Sequence, residues 1–218
     1  MSDVAREGRT VLFVSHNTAS IESLCTACLM FKGGQLEARG TPLDILSRYV
    51  AAGSELGSGE RSLEEHPGRR TRSVPTMTRV ELRSGPSART AGVVRMGEPL
   101  EISVSYAASH PLRPVLGALV KTSYGAPVFC SSDRFCDQLI FCEPIARGTI
   151  VCTIDKIPLM PGTYTIDLFL GDANGDIDVI YEATSFEVLA TDVTGTGRLP
   201  PTSGGPIFCE ANWRLIAD

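Results

Sequence analysis

Strict period-two alternation in the back half of the chain limits its fold more than any other feature. Leu100, Ile102, Val104 and Tyr106 alternate with Glu101, Ser103 and Ser105, and Ile150, Cys152 and Ile154 with Thr149, Val151 and Thr153. Tyr164, Ile166, Leu168 and Leu170 repeat the pattern after Pro161-Gly162, and Ile207, Cys209, Ala211, Trp213 and Leu215 repeat it near the end. Successive side chains of a strand point to opposite faces, so each run describes a strand with one buried face. Weaker strands are expected at Met77–Arg83, Val115–Thr122, Val128–Ser131 and Ser185–Leu189. Turn residues separate them, notably Tyr124-Gly125 and Asp172-Ala173-Asn174-Gly175. About seven to nine short strands at such spacing favour a β-sandwich over a barrel for residues 76–218. The expected fold class is mainly β, an immunoglobulin-like antiparallel sandwich.

The front of the chain reads differently. Residues 10–50 are mixed α/β: Thr10 to Ser15 is a short β-branched apolar run suited to a strand buried on both faces. Asn17 and Thr18 can cap a helix through Ala19 to Leu24. Leu29 to Phe31, the turn Lys32-Gly33-Gly34-Gln35 and Leu36 to Arg39 make a hairpin. Gly40, Thr41 and Pro42 then start a helix whose Leu43, Ile45, Leu46, Tyr49 and Val50 form an apolar stripe. A strand buried on both faces needs neighbours, so this front segment is expected to pack poorly or to be held by self-association. Residues 51–75 are glycine-rich and then dense in charges of both signs, a composition that reads as a flexible linker with a solvated His66.

Charge and composition exclude some functions. Twenty Lys+Arg against 25 Asp+Glu give a net charge of −5, against the basic surplus of a nucleic-acid binder. No apolar run approaches the ~20 residues of a membrane span. The amino terminus lacks the basic and apolar regions of a secretory signal, so a cytoplasmic location is expected. Seven cysteines, an odd number, argue for reduced thiols rather than a disulfide framework. Cys25 and Cys28 form a lone C-x-x-C without the two further ligands that zinc needs, so they read as small buried hydrophobes and no metal site is expected. The spacing of Cys130, Cys136 and Cys142 has no physical account.

His16 stands directly after the Val11–Ser15 run, at a strand's carboxyl end before a helix, where ligands of open α/β sheets bind. The run Glu7-Gly8-Arg9-Thr10-Val11-Leu12-Phe13-Val14-Ser15-His16-Asn17 resembles the switch-histidine loop of ABC-transporter ATP-binding subunits. The hairpin Phe31-Lys32-Gly33-Gly34-Gln35-Leu36 and the Gly40-Thr41-Pro42 helix start resemble the elements downstream of that loop in those subunits. More narrowly, the arrangement resembles the Wzt family, which powers export of O-antigen and related cell-surface polysaccharides. There the ATPase is succeeded by a linker and a carbohydrate-binding β-sandwich. Leu159-Met160-Pro161-Gly162-Thr163-Tyr164-Thr165-Ile166 and Gly205-Pro206-Ile207 through Trp213 resemble recurring features of that sandwich.

The resemblance implies that residues 1–50 are the carboxy-terminal remnant of an ABC nucleotide-binding domain, 51–75 a linker and 76–218 the carbohydrate-binding domain. It implies a catalytic switch role for His16 at the γ-phosphate, only within a complete nucleotide-binding domain. It further implies a polysaccharide recognised without bond breaking, at its non-reducing end. The implied partners are the lipid-linked polysaccharide, a transmembrane permease subunit and a second copy of the chain, at the inner face of the bacterial inner membrane. ATP and Mg²⁺ belong to the complete family member. The sequence itself has no G-x-x-x-x-G-K-[S/T] phosphate loop, no Walker-B acidic pair and no signature motif, so no ATPase activity and no cofactor are expected of this chain alone.

Other chemistry is weakly supported. No G-x-S-x-G elbow accompanies His16, His66 or His110, and the acidic Asp176 and Asp178 lack EF-hand spacing. For sugar binding, Trp213, Tyr106 and Tyr164 share registers with apolar residues and read as core. Tyr124, Asp133, Arg134 and Asp137 fall in or near turns and are the polar candidates for carbohydrate contact. Two other readings stay open: a fragment of a complete ATP-hydrolysing transporter subunit, and an immunoglobulin-like protein-interaction module.

Overall fold

A computed structural model describes residues 11–14, 21, 24–32, 34–42, 44–46, 48, 59–70, 76–85, 89–135, 143–172, 174–199, 204–211 and 213–215. In chain order the strands are β1 (Cys28–Lys32), β2 (Gln35–Gly40), β3 (Glu60–Ser62), β4 (Met77–Ser84), β5 (Arg89–Thr90) and β6 (Val93–Arg95). They continue with β7 (Leu100–Leu112), β8 (Val115–Thr122), β9 (Pro127–Ser132), β10 (Ile145–Ile154), β11 (Gly162–Asp172) and β12 (Gly175–Leu189). A first sheet has the order β10-β7-β4-β3, with β5 also on β4; a second has the order β6-β12-β11-β8-β9. All pairs are antiparallel except β6 with β12. The alternating runs thus form an antiparallel β-sandwich, as the sequence predicts.

Three of the four predicted inward rows, those starting at Leu100, Ile150 and Tyr164, are observed. Leu100, Ile102, Val104 and Tyr106 of the first sheet share one core with Tyr164, Ile166, Leu168 and Leu170 of the second. Val80, Leu82, Leu116, Ala118, Val120 and Phe186 complete it. A fully buried aliphatic or phenyl side chain contributes about 1.5–3 kcal/mol relative to exposure, so this row-on-row contact is the main driving force for stacking the sheets. Tyr164 keeps its hydroxyl satisfied by donating to Met160 O at 2.7 Å, four residues upstream, the tyrosine-corner arrangement of immunoglobulin-like sandwiches. Burial pushes this phenol up to about 12.

Residues 59–70 differ from the expected linker, and His66 from its expected solvation. β3 pairs with β4, Leu63 is fully buried and donates its N–H to Thr78 O, and His66 is buried. Arg69 bridges to Ile180 of β12, and its guanidinium bonds the Asp178 carboxylate and the Leu63 and Met77 carbonyls. Asp178 also accepts the N–H groups of Thr76 (3.0 Å) and Met77 (2.8 Å), so one buried carboxylate of the second sheet holds the start of β4 in the first. The composition argument averages over 51–75 and misses the buried Leu63 and the paired Arg69 that, with the β3 ladder, anchor residues 59–70.

The carboxy-terminal run also differs. Ile207 makes one isolated bridge, to Leu159, and residues 208–211 and 213–215 form no strand. Trp213 is 94% exposed and Leu215 96%, which corrects the reading of Trp213 as core. Alternation buries a face only where a neighbouring strand completes the ladder. In the front segment β1 and β2 form the expected hairpin, and Thr41 Oγ1 accepts the Asp44 N–H at 3.3 Å to cap the helix beyond it. Cys28, Met30 and Ile45 make a small cluster there, with Ile21 and Cys25 beside it. No helix among the described residues is long and apolar enough to cross a membrane.

Candidate functional site

The alternation that buries Leu116, Ala118 and Val120 of β8 turns Gly117, Leu119 and Lys121 to the outer face of the second sheet. In β11 it turns out Thr165, Asp167 and Phe169. Register places Phe169 opposite Gly117, and Gly117 opposite Ser132 of β9. Because residue 117 has no side chain, a recess of about 150 Å³ opens between these neighbours, with Phe169 and Ser132 in its lining and Arg134, Phe135 and Asp176 also contributing. A Cβ at position 117 would lie 3.6 Å from Phe169 Cβ and 3.7 Å from Ser132 Oγ, an ordinary contact that the backbone tolerates.

Of the charged and hydroxyl groups of the recess, Ser132 ends β9, Arg134 belongs to the short 3-10 turn Asp133–Phe135 that follows it, and Asp176 opens β12. Ser132 Oγ accepts the Arg134 N–H at 3.2 Å and fixes the turn's entry. Asp133 Oδ1 accepts the Leu116 N–H at 3.0 Å; burial raises its carboxyl above the usual aspartate range, opposed in part by that hydrogen bond. Arg134 Nη2 donates to Asp172 O at 3.3 Å and stands 3.8 Å from Asp176 Oδ1, with both side chains about half exposed.

Of the sequence-predicted contacts, the structure therefore places Arg134 in the lining of the recess and Asp133 outside that lining, where its carboxylate holds the Leu116 N–H of β8. Tyr124 is 97% exposed in the turn between β8 and β9, at the far end of that hairpin. Gly117 and Tyr124 are seven positions apart along β8 and the turn after it, roughly 20 Å at the usual strand rise, so Tyr124 does not share the recess. Asp137 and His16 lie outside the described residues.

A second cluster adjoins the recess along the sheet. The Phe169 ring meets Tyr181 of β12 edge-on, with centroids 6.3 Å apart. Arg70 and Lys121 approach the Tyr181 ring at 5.6 and 5.8 Å. Lys121 Nζ pairs with Asp167 Oδ1 at 2.9 Å, and that oxygen also accepts the Glu182 N–H at 2.8 Å. Glu182 has φ 52° at the point where the β11–β12 register shifts, so the buried Asp167 carboxylate supports a bulge that positions Tyr181. Gly68 has no Cβ to collide with the Tyr181 carbonyl, and Tyr181 N donates to Gly68 O at 3.0 Å. Sequence reasoning misses Phe169 and Tyr181. The usable signal is register: Phe169 stands between Leu168 and Leu170, the one aromatic residue of β11 out of phase with its buried row.

Chemically, the arrangement offers a phenyl surface, an open floor, a guanidinium and a carboxylate. Among the described residues no three His, Cys, Asp or Glu side chains converge as a metal site would need. This is equipment for holding a ligand with both C–H and hydroxyl surface.

Comparison with known proteins gives the family. No curated protein matches the chain. The crystal structure of the C-terminal domain of Wzt aligns with a TM-score of 0.49 at 12% identity, covering 72% of this chain and 89% of that one. The CARDB domain of a Pyrococcus furiosus protein, in complex with di-metal ions, aligns with a TM-score of 0.30 at 13% identity, covering 53% and 94%. The family model described as the Wzt C-terminal domain matches residues 74–199. With that model spanning more than half of its length, this chain belongs to the Wzt C-terminal domain family, which ties it to ABC-transporter-associated polysaccharide export.

Proposed function

We propose that this chain binds the polysaccharide cargo of an ABC-type exporter of O-antigen or a related cell-surface glycan, and does so without breaking bonds. The observation that carries the reading is the recess on the outer face of the second sheet, where Phe169 lies beside the unfilled Gly117 position and between polar groups. A sugar ring has an apolar C–H face and a polar hydroxyl edge; the phenyl ring matches the first and planar charged groups match the second. Charge-assisted hydrogen bonds from Arg134 and to Asp176 give orientation as well as energy.

In this reading the sandwich presents the lipid-linked chain to the transmembrane permease at the inner face of the inner membrane. The front segment, 1–50, is in this reading the carboxy-terminal part of a nucleotide-binding domain, and His16 serves as the switch histidine only when that domain is complete. Weak recess sites on two copies would raise the local concentration of cargo at the pore. The residues present do not fit ATP: the sequence offers neither a phosphate loop nor a Walker-B acid pair, so no nucleotide step is derived for this chain.

Isothermal titration of the full chain with purified bacterial O-polysaccharides tests the reading. Saturable heat with at least one polysaccharide, accompanied by amide shifts around Phe169 in an NMR titration, is the expected result. Absence of any response across the panel overturns it, as would saturable binding that leaves the recess amides unmoved.

A further inference from the structure

We infer that the recess seats one uncharged sugar ring, its C–H face on Phe169 and two neighbouring hydroxyls between Arg134 and Asp176, with Gly117 setting the size admitted. The inference rests on the polysaccharide reading above and narrows it to a ligand class. Size is the first argument. The recess is about 150 Å³ and open on one side, room for one ring to lie against the sheet while the rest of a glycan runs past it.

Charge is the second argument. Among the described residues lining the recess, Arg134 is the only cation and Asp176 the only carboxylate, 3.8 Å apart. Arg134 also donates one N–H to the Asp172 carbonyl, and its guanidinium carries further N–H groups that can donate to a ligand. A hydroxyl can donate to Asp176 while its neighbour accepts from Arg134, which satisfies both groups. An acidic sugar would bring its carboxylate against Asp176 and leave one of two anions without a cation. The pairing therefore selects against acidic glycans as well as for neutral ones.

The floor is the third argument. Gly117 lies between Phe169 and Ser132, and its φ is not in the left-handed region, so the glycine is not required by the backbone. Its Cβ position makes ordinary contacts. Any side chain longer than a methyl would occupy the space over which the ring must lie. The missing side chain is thus what exposes the edge of the Phe169 platform.

The test is an NMR amide-shift titration of the full chain with neutral oligosaccharides (mannan, galactan and rhamnan fragments) and acidic ones (oligogalacturonate and alginate fragments). Neutral fragments are expected to shift the amides of Val115, Gly117, Arg134 and Phe169, with acidic fragments at least tenfold weaker. Gly117→Leu is expected to weaken the neutral ligand at least tenfold, and Gly117→Ala to weaken it less while retaining the wild-type urea midpoint. Asp176→Asn, at a half-exposed site that does not threaten folding, is expected to narrow the neutral-over-acidic preference at least threefold. Acidic fragments binding as tightly as neutral ones, an unchanged preference in Asp176→Asn, or wild-type affinity in a folded Gly117→Leu overturns this inference and leaves the polysaccharide reading standing. No shift with any fragment of either class, together with no response to intact polysaccharides, overturns both.

Discussion

The outer faces of the two sheets are built from the same alternating strands and finish in opposite ways. On the first sheet, charges close on one another across β3, β4 and β7. Arg79 reaches Glu60 at 3.0 Å, and Arg83 reaches Glu81 at 3.1 Å and Glu101 at 3.7 Å. Thr90 donates to Glu81 at 2.5 Å, and Ser105 meets Thr149 at 3.0 Å. These arms find their partners within the protein. On the second sheet a glycine interrupts the row, an aromatic ring flanks the gap, and a cation and an anion stand near it. Exposed pairs of the first kind are worth about 0.2–1 kcal/mol each and do little beyond solvating a face. The second kind leaves hydrogen-bonding capacity and apolar surface for something else to use. Two faces of equal pedigree thus separate into a closed one and an open one through cross-strand neighbours, not through composition.

The largest effect is expected where the frame that carries both faces is broken. Asp178→Ala leaves the Arg69 guanidinium buried and two N–H groups without their acceptor, and should cost about 3–5 kcal/mol. Urea unfolding of the full chain measures this, and a loss under about 1 kcal/mol would show that the two sheets do not depend on the bridge. Next in size is the contrast between the faces themselves. Phe169→Ala should weaken polysaccharide binding at least tenfold, about 1.4 kcal/mol, whereas Arg83→Ala on the closed face should leave it unchanged. Equal losses in both variants, read by titration calorimetry, would erase the distinction.

A smaller effect is expected from the closed face alone. Hydrogen bonds from Arg83 and then Thr90 hold the Glu81 carboxyl below its ordinary 4.5, with burial opposing them. A carboxyl lowered in the folded state stabilises fully above the unfolded value and loses that contribution as pH falls through the folded value. Glu81→Gln should therefore be less stable than wild type at neutral pH by under about 1 kcal/mol, with the gap closing below pH 4.5. Thermal midpoints collected from pH 7 down to pH 3 check the sign; a gap that widens on acidification contradicts it. The smallest effect is expected at Trp213, whose ring is 94% exposed: Trp213→Ala should change stability by no more than about 0.5 kcal/mol. A larger loss in unfolding experiments would mean that the ring is covered in solution.

Much of the sandwich is legible in the sequence because burial on one face imposes a spacing that a chain cannot hide. Leu100 to Tyr106 and Tyr164 to Leu170 are read without error from period two, and the hairpin at Lys32–Gln35 from its glycines. The site is less legible. Arg134 is identifiable from its place near a turn, but Tyr124 belongs to the other end of the same hairpin, and Phe169 reads as one more residue of an apolar strand. Trp213 shows the reverse error, where alternation without a neighbouring strand carries no information about burial.

The amino-acid order by itself determined which residues of each strand face inward, because pleating assigns alternate side chains to opposite sides whatever the strand lies against. It also determined the absence of a phosphate loop, since that cradle is a local string of residues. Only the tertiary structure decided that Gly117, Phe169, Arg134 and Asp176 meet, and that Arg69 finds Asp178 across more than a hundred residues. Strand register and sheet order are set by the packing of the whole core, and they bring together side chains whose separation in the chain carries no trace of their proximity.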